Sequence, residues 1–130
     1  MHRLVHLAVT LVCLAILFCG VRYAIARERL RQTDVHSVYE QVNRESFNGS
    51  LPDAFVRWSY LEDKYGEVHF YADGSNVIEI DRASVTSEKQ LLKTIRHESC
   101  HVETHTIVEE TGQDVHGEAF QMCMKRFEEK

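Results

Sequence analysis

His97-Glu98-Ser99-Cys100-His101 is the segment of this chain with the clearest chemical content. It has the form H-E-x-x-H. On an α-helix, residues four apart differ by about 40° in rotation and one turn in height. Two imidazoles so placed can converge on one ion at about 2 Å from each nitrogen. Glu98 is about 100° round from His97 and about 60° from His101. It can lean over the same site without being a ligand. From there a carboxylate can take a proton from a metal-activated water, the general-base role in zinc peptidase chemistry.

Two histidines and a water leave zinc one protein ligand short. His105, His116, Glu103, Glu109, Glu110 and Glu118 are the available donors. His105 continues the four-residue series but lies about 12 Å beyond His97 along a straight helix. Position 104 is Thr, so no glycine turns the chain early. His105 therefore reads as a surface residue or one that supports the site from outside. His116 follows a glycine-containing break and can return to the site on a new helix, and Glu118 is its rival. Cys100 reads as a small buried hydrophobe. A Cys100–Cys123 disulfide is open to the chain in an oxidising compartment. Tyr60, Tyr65, Tyr71 and His105 are the candidates for oxyanion stabilisation. Glu109, Glu110 and Asp114 read as a solvated acidic loop.

The elements that must position these groups can be read from periodicity. Thr33 to Phe47 reads as an amphipathic helix capped by Thr33 or Asp34, with Val35, Val38, Tyr39 and Val42 on one stripe. Asn48-Gly49-Ser50 and Pro52 break it. Three strands follow: Phe55–Leu61, Glu67–Ala72 and Asn76–Asp81, with Asp73-Gly74 as a hairpin signal. Lys64-Tyr65-Gly66 reads as the turn between the first two strands. Val56, Trp58 and Tyr60 share one face of the first strand and Val68, Phe70 and Ala72 one face of the second; Ile78 and Ile80 point inward from the third, with Val77, Glu79 and Asp81 on its opposite, outer face. Ser87 and Gln90 have capping-box form and open a helix predicted to reach about Thr106, buried through Leu91, Leu92, Ile95 and Val102. After Thr111-Gly112-Gln113-Asp114, Asp114 is placed to cap a last helix with Phe120, Met124 and Phe127 on one face.

The whole chain has 130 residues, 44% hydrophobic and 27% charged, which is ordinary globular composition. Leu4 to Val21 is nearly all apolar, with Arg3 before it and Arg22, Arg27, Arg29 and Arg31 after it. Residues 1–26 therefore read as a hydrophobic membrane anchor or a signal peptide. The length of the run favours an uncleaved single-pass anchor. The small-x-small triplet Ala24-Ile25-Ala26 offers the alternative of a secreted or periplasmic domain cut near Ala26. The basic cluster after the run favours a cytoplasmic C-terminal side. Residues 27–130 retain 13 basic against 20 acidic side chains, a net −7. That balance argues against duplex DNA binding, which draws on many phosphate-neutralising cations.

Several of these segments together carry a resemblance. Phe47-Asn48 with Leu51-Pro52, Ile78-Glu79-Ile80, Leu91-Leu92-Lys93-Thr94-Ile95 leading into the H-E-x-x-H, and His116-Gly117-Glu118-Ala119-Phe120 resemble the SprT-like (Spartan-type) zinc metallopeptidases. The resemblance spans roughly Thr33 to Phe127. It implies an α+β, zincin-like domain over residues 33–130: an N-terminal helix, a small three-stranded, mixed sheet, an active-site helix and a C-terminal helix carrying the third ligand. It implies Zn2+ held by His97, His101 and His116, with Glu98 catalytic. The expected activity is metalloendopeptidase cleavage of a protein or peptide substrate, laid along an edge strand taken to be Asn76–Asp81. The alternative is a membrane-anchored zinc-binding interaction module without turnover. The acidic domain and apolar N-terminus depart from family members that act on DNA-crosslinked proteins. The sequence does not set the oligomeric state.

Overall fold

A computed structural model describes residues 2–128. The chain forms two compact units, one up to Thr33 and the other from Asp34 onward. The first is a helix, α1 (His2–Arg31). Its stretch from His6 to Arg31 is long and apolar enough to cross a membrane. The charged residues Arg27, Glu28, Arg29 and Arg31 continue the helix to its end at Arg31. No Gly or Pro interrupts them, and Arg, Glu and Leu are good helix formers.

The second unit is α+β. Helix α2 (Val35–Phe47) starts at Asp34, whose Oδ1 accepts from His36 N (3.1 Å) and Ser37 N (3.4 Å). It buries Val35, Tyr39, Val42 and Phe47. Asn48, in the left-handed conformation, ends it. The Asn43 side-chain amide grips Leu51 through both backbone groups, at 3.1 and 3.2 Å. The Tyr39 hydroxyl donates to Pro52 O at 2.8 Å. Burial, with a smaller contribution from Asp53, pushes that hydroxyl's pKa up to about 12.

Strands β1 (Ala54–Ser59), β2 (Gly66–Phe70) and β3 (Asn76–Asp81) form one mixed sheet in the order β1-β3-β2. β1 runs parallel to β3, and β2 antiparallel to it. Val56, Ile78 and Val68 share one row across the sheet. β3 is thus the central strand, paired along both edges, and not the edge expected from sequence. Its Ile78 and Ile80 are fully buried, which is why it takes the middle. Asp81, expected on the outer face, is buried as well. Its carboxylate accepts from Leu61 N (2.9 Å) and Ser84 N (2.6 Å), tying together the loops at that end of the sheet. Burial alone would raise its pKa; the hydrogen bonds from Leu61, Ser84 and Ala83 outweigh burial and hold it low.

Helix α3 (Glu88–Thr111) is capped by Ser87 Oγ, which accepts from Gln90 N at 3.2 Å. Gln90 Oε1 reaches back to Thr86 N at 3.0 Å, one residue earlier than the usual capping box. The helix runs past Thr106 because nothing breaks it before Gly112, its left-handed C-cap. Helix α4 (Glu118–Lys125) buries Phe120 and Cys123. Its N-cap is Gly117, not Asp114; Asp114 acts one turn earlier by accepting from His116 N at 2.8 Å. Cys100 and Cys123 are both buried and form a disulfide joining α3 to α4.

Candidate metal centre

His97 and His101 lie one turn apart on α3, and His116 lies in the turn that leads into α4. Gly117 makes that turn possible. A Cβ there would fall 2.8 Å from Asp114 O, the acceptor of its own N–H. The three rings face one another. Nε2 of His97 lies 3.2 Å from Nε2 of His101 and 3.4 Å from Nε2 of His116. One donor atom from each of the three lies within 4.8 Å of the others. Two nitrogens bound tetrahedrally to one zinc would stand about 3.3 Å apart, given bonds of about 2.0–2.1 Å. The donor set therefore fits a metal ion of that size.

Phe120 supports all three imidazoles from below, with centroid distances of 4.8, 4.5 and 4.8 Å to His97, His101 and His116. Burial, then the neighbouring His97 and His116, pushes the pKa of His101 down to about 4. His97 is lowered by burial, then by His116 and Lys93. Both shifts keep the rings neutral, which is the ligating form.

Glu98 projects from the same stretch of α3 and is buried. Burial, then the Glu67 carboxylate, raises its pKa to about 7, with Lys64 opposing. Its neighbour is the start of β2. A Cβ at Gly66 would fall 2.8 Å from Glu98 Oε1 and 2.7 Å from Thr94 Cγ2. Only glycine lets the strand approach this closely. From there β2 runs alongside α3, and at its far end Phe70 stacks on His105 with centroids 3.5 Å apart.

Between β2 and α3 lies a cleft of about 970 Å³. All three histidines and Glu98 line it, with Lys64, Gln90 and Lys93 toward one end and Phe70, His105, Val108 and Val115 toward the other. Residues 35–130 match the model of the SprT-like family. The chain belongs to the SprT-like family. No curated protein matches it.

Within this SprT-like domain, the other donors considered as ligands are elsewhere. Glu103 pairs with Arg126 at 2.7 Å, and His105 pairs with Glu109 at 3.4 Å. Glu110 and Glu118 are exposed and outside the histidine cluster. Of the four oxyanion candidates, Tyr65 and His105 line the cleft; Tyr60 and Tyr71 do not. The sequence reading missed Gly66, taken for part of a turn, and Lys64 and Lys93. A glycine next to a strand was the available signal for close backbone approach.

Proposed function

We propose that this chain is a zinc-dependent metalloendopeptidase, with His97, His101 and His116 as the metal ligands and Glu98 as the general base. The observation that carries the reading is the convergence of three imidazoles at metal-site spacing beside a buried carboxylate, on the wall of an open cleft. A structural zinc site fills all four positions with protein ligands. Three histidines leave a position for chemistry.

A zinc ion held by His97, His101 and His116 would supply Lewis-acid polarisation of the scissile carbonyl and would raise the acidity of water at the site. Glu98 takes the proton of the attacking water and delivers it to the leaving amine. Phe120 keeps the three rings in register. The substrate pairs with the outer edge of β2, because β3 has no free edge. The net −7 of residues 27–130 argues against duplex DNA as a partner.

The same reading places α1 in a membrane as an uncleaved anchor, with the domain on its oxidising side. The buried Cys100–Cys123 bridge supports that side, since cytosolic thiols are held reduced. The arginine cluster favours the opposite side, but it is a bias in loop composition rather than a chemical requirement. Glu98→Gln in the full chain tests the enzyme reading. Zinc should remain bound while cleavage of an unfolded protein falls by about 10²–10⁴-fold. Unchanged cleavage would remove Glu98 from its role, and no cleavage by the zinc-loaded wild type would favour an interaction module.

A further inference from the structure

The three imidazoles do not come from one element. The repeat of α3 places His97 and His101, but His116 depends on where α4 lies. Gln121 ties the two together: its N–H donates to Gly117 O at 3.0 Å and its Nε2 to His116 O at 3.2 Å. Whatever moves α4 moves His116. With eight residues, α4 is too short to persist on its own.

Besides the Arg96 guanidinium of α3, which lies over the Phe127 ring at 5.0 Å just past α4, three contacts among the described residues bear on how α4 is held to α3. Arg126 pairs with Glu103 at 2.7 Å, but both side chains are partly exposed and such pairs contribute little. Phe120 packs against His97 and His101 as well as His116, so it supports the rings once they are assembled but rests on the site that it supports. The third contact is covalent. Cys123, one turn after Phe120 on the buried face, is bonded to Cys100, the residue directly before His101. The two Cα atoms are 5.7 Å apart, and the residues are 0% and 2% exposed.

We propose that the Cys100–Cys123 disulfide is the positioning element for the third metal ligand. With the bridge closed, α4 is held one bond from the H-E-x-x-H segment and His116 faces its partners. With the bridge open, the site falls back to the two histidines of α3. This rests on the ligand set assigned under Proposed function. Closing the bridge joins the two Sγ atoms and releases two protons and two electrons. An organic disulfide takes these up by exchange and leaves as the corresponding thiols. Metal loading of the chain therefore follows its oxidation.

The test uses the full chain in detergent micelles. Zinc affinity is read by competition with a chromophoric chelator, and helix content by circular dichroism. Oxidised protein is compared with protein reduced by a phosphine, which does not add a zinc-binding dithiol, and with Cys100→Ala/Cys123→Ala, which removes both thiols beside the site and leaves Cys13 and Cys19 of α1 common to every sample. Opening the bridge should lower zinc affinity by about 10–100-fold, the usual scale for losing a supporting interaction around a metal. Helix content should hold. His116→Ala should cost as much in the oxidised chain and add nothing once the bridge is absent. The proposal is overturned if His116→Ala still costs its full factor without the bridge. It is equally overturned if opening the bridge melts the helices, which would make it a staple of the whole domain. If His116→Ala has no effect even in oxidised protein, the ligand assignment has failed instead.

Discussion

Replacing Gly66 with Ala tests how β2 and α3 define the cleft. The added Cβ falls 2.7 Å from Thr94 Cγ2, 2.8 Å from Glu98 Oε1 and 3.1 Å from Glu98 Cγ. Unstrained carbon contacts sit at about 3.5 Å or more, so strand and helix must separate by about 0.8 Å. Neither neighbour can swing aside freely, because Thr94 and Glu98 are both buried. Overpacking of this kind costs about 1–3 kcal/mol. For a domain of about 100 residues, each kcal/mol lowers Tm by about 4–8 °C. Glu98 shifts with the helix face, and an error approaching 1 Å at a reacting group costs up to about 10²-fold in rate. Zinc affinity should not change, because no imidazole is touched. Thermal melts, chelator competition and turnover of an unfolded protein substrate read the three effects separately. Gly66→Ala/Thr94→Ser removes the Cγ2 contact, keeps the hydroxyl that donates to Gln90 O at 2.9 Å, and leaves the Glu98 contact in place. It should regain stability without regaining rate. Wild-type Tm and rate in Gly66→Ala would refute the close-approach argument, and a double variant as unstable as the single would refute the role given to Thr94.

Asp81→Asn should destabilise the fold by about 1–3 kcal/mol at pH 7, since the carboxylate accepts from two loop N–H groups in a buried site. The folded pKa is depressed, so this stability is present above about pH 4 and lost as pH falls through the folded value; denaturant midpoints of wild type and variant should converge in acid, and a gap constant from pH 7 to pH 2 would refute the assignment. Phe120→Ala should lower stability by about 3–5 kcal/mol and weaken zinc binding, with chelator competition on the folded fraction as the check; wild-type affinity there would deny the ring its supporting role. Alkylation under denaturing conditions of protein taken directly from its host should label Cys13 and Cys19 only. Four labels would contradict an oxidising compartment, and none would point to removal of the N-terminal segment.

The local parts of this protein were legible because their causes are local. Ser87 and Gln90 announce a helix start, Asn48-Gly49 a helix end, and the i, i+4 spacing of His97 and His101 carries its own geometry. The exceptions among local readings have local reasons too. Asp114 was placed as the cap of α4, but it caps the turn around His116, and Gly117 opens the helix. α3 outran its expected end because Ile107 to Thr111 hold no breaker.

The order of the strands was not legible, because pairing is decided by burial between segments far apart in sequence. Asn76–Asp81 alternates apolar and polar residues like any half-buried strand, and nothing in that pattern says that both of its edges are used. Only the complete burial of Ile78 and Ile80, between Val56 and Val68 on one row and Trp58 and Gly66 on the next, makes it central. That change moves the edge proposed for the substrate. With β3 in the middle, β2 becomes the edge beside the histidines, and a glycine at its first position acquires a purpose. A bulkier residue there would hold the strand away from Glu98 and widen the cleft between β2 and α3, where the proposed substrate would lie. The identity of residue 66 thus depends on the position of a strand ten residues later in the chain, and no window of sequence around either one contains that dependence.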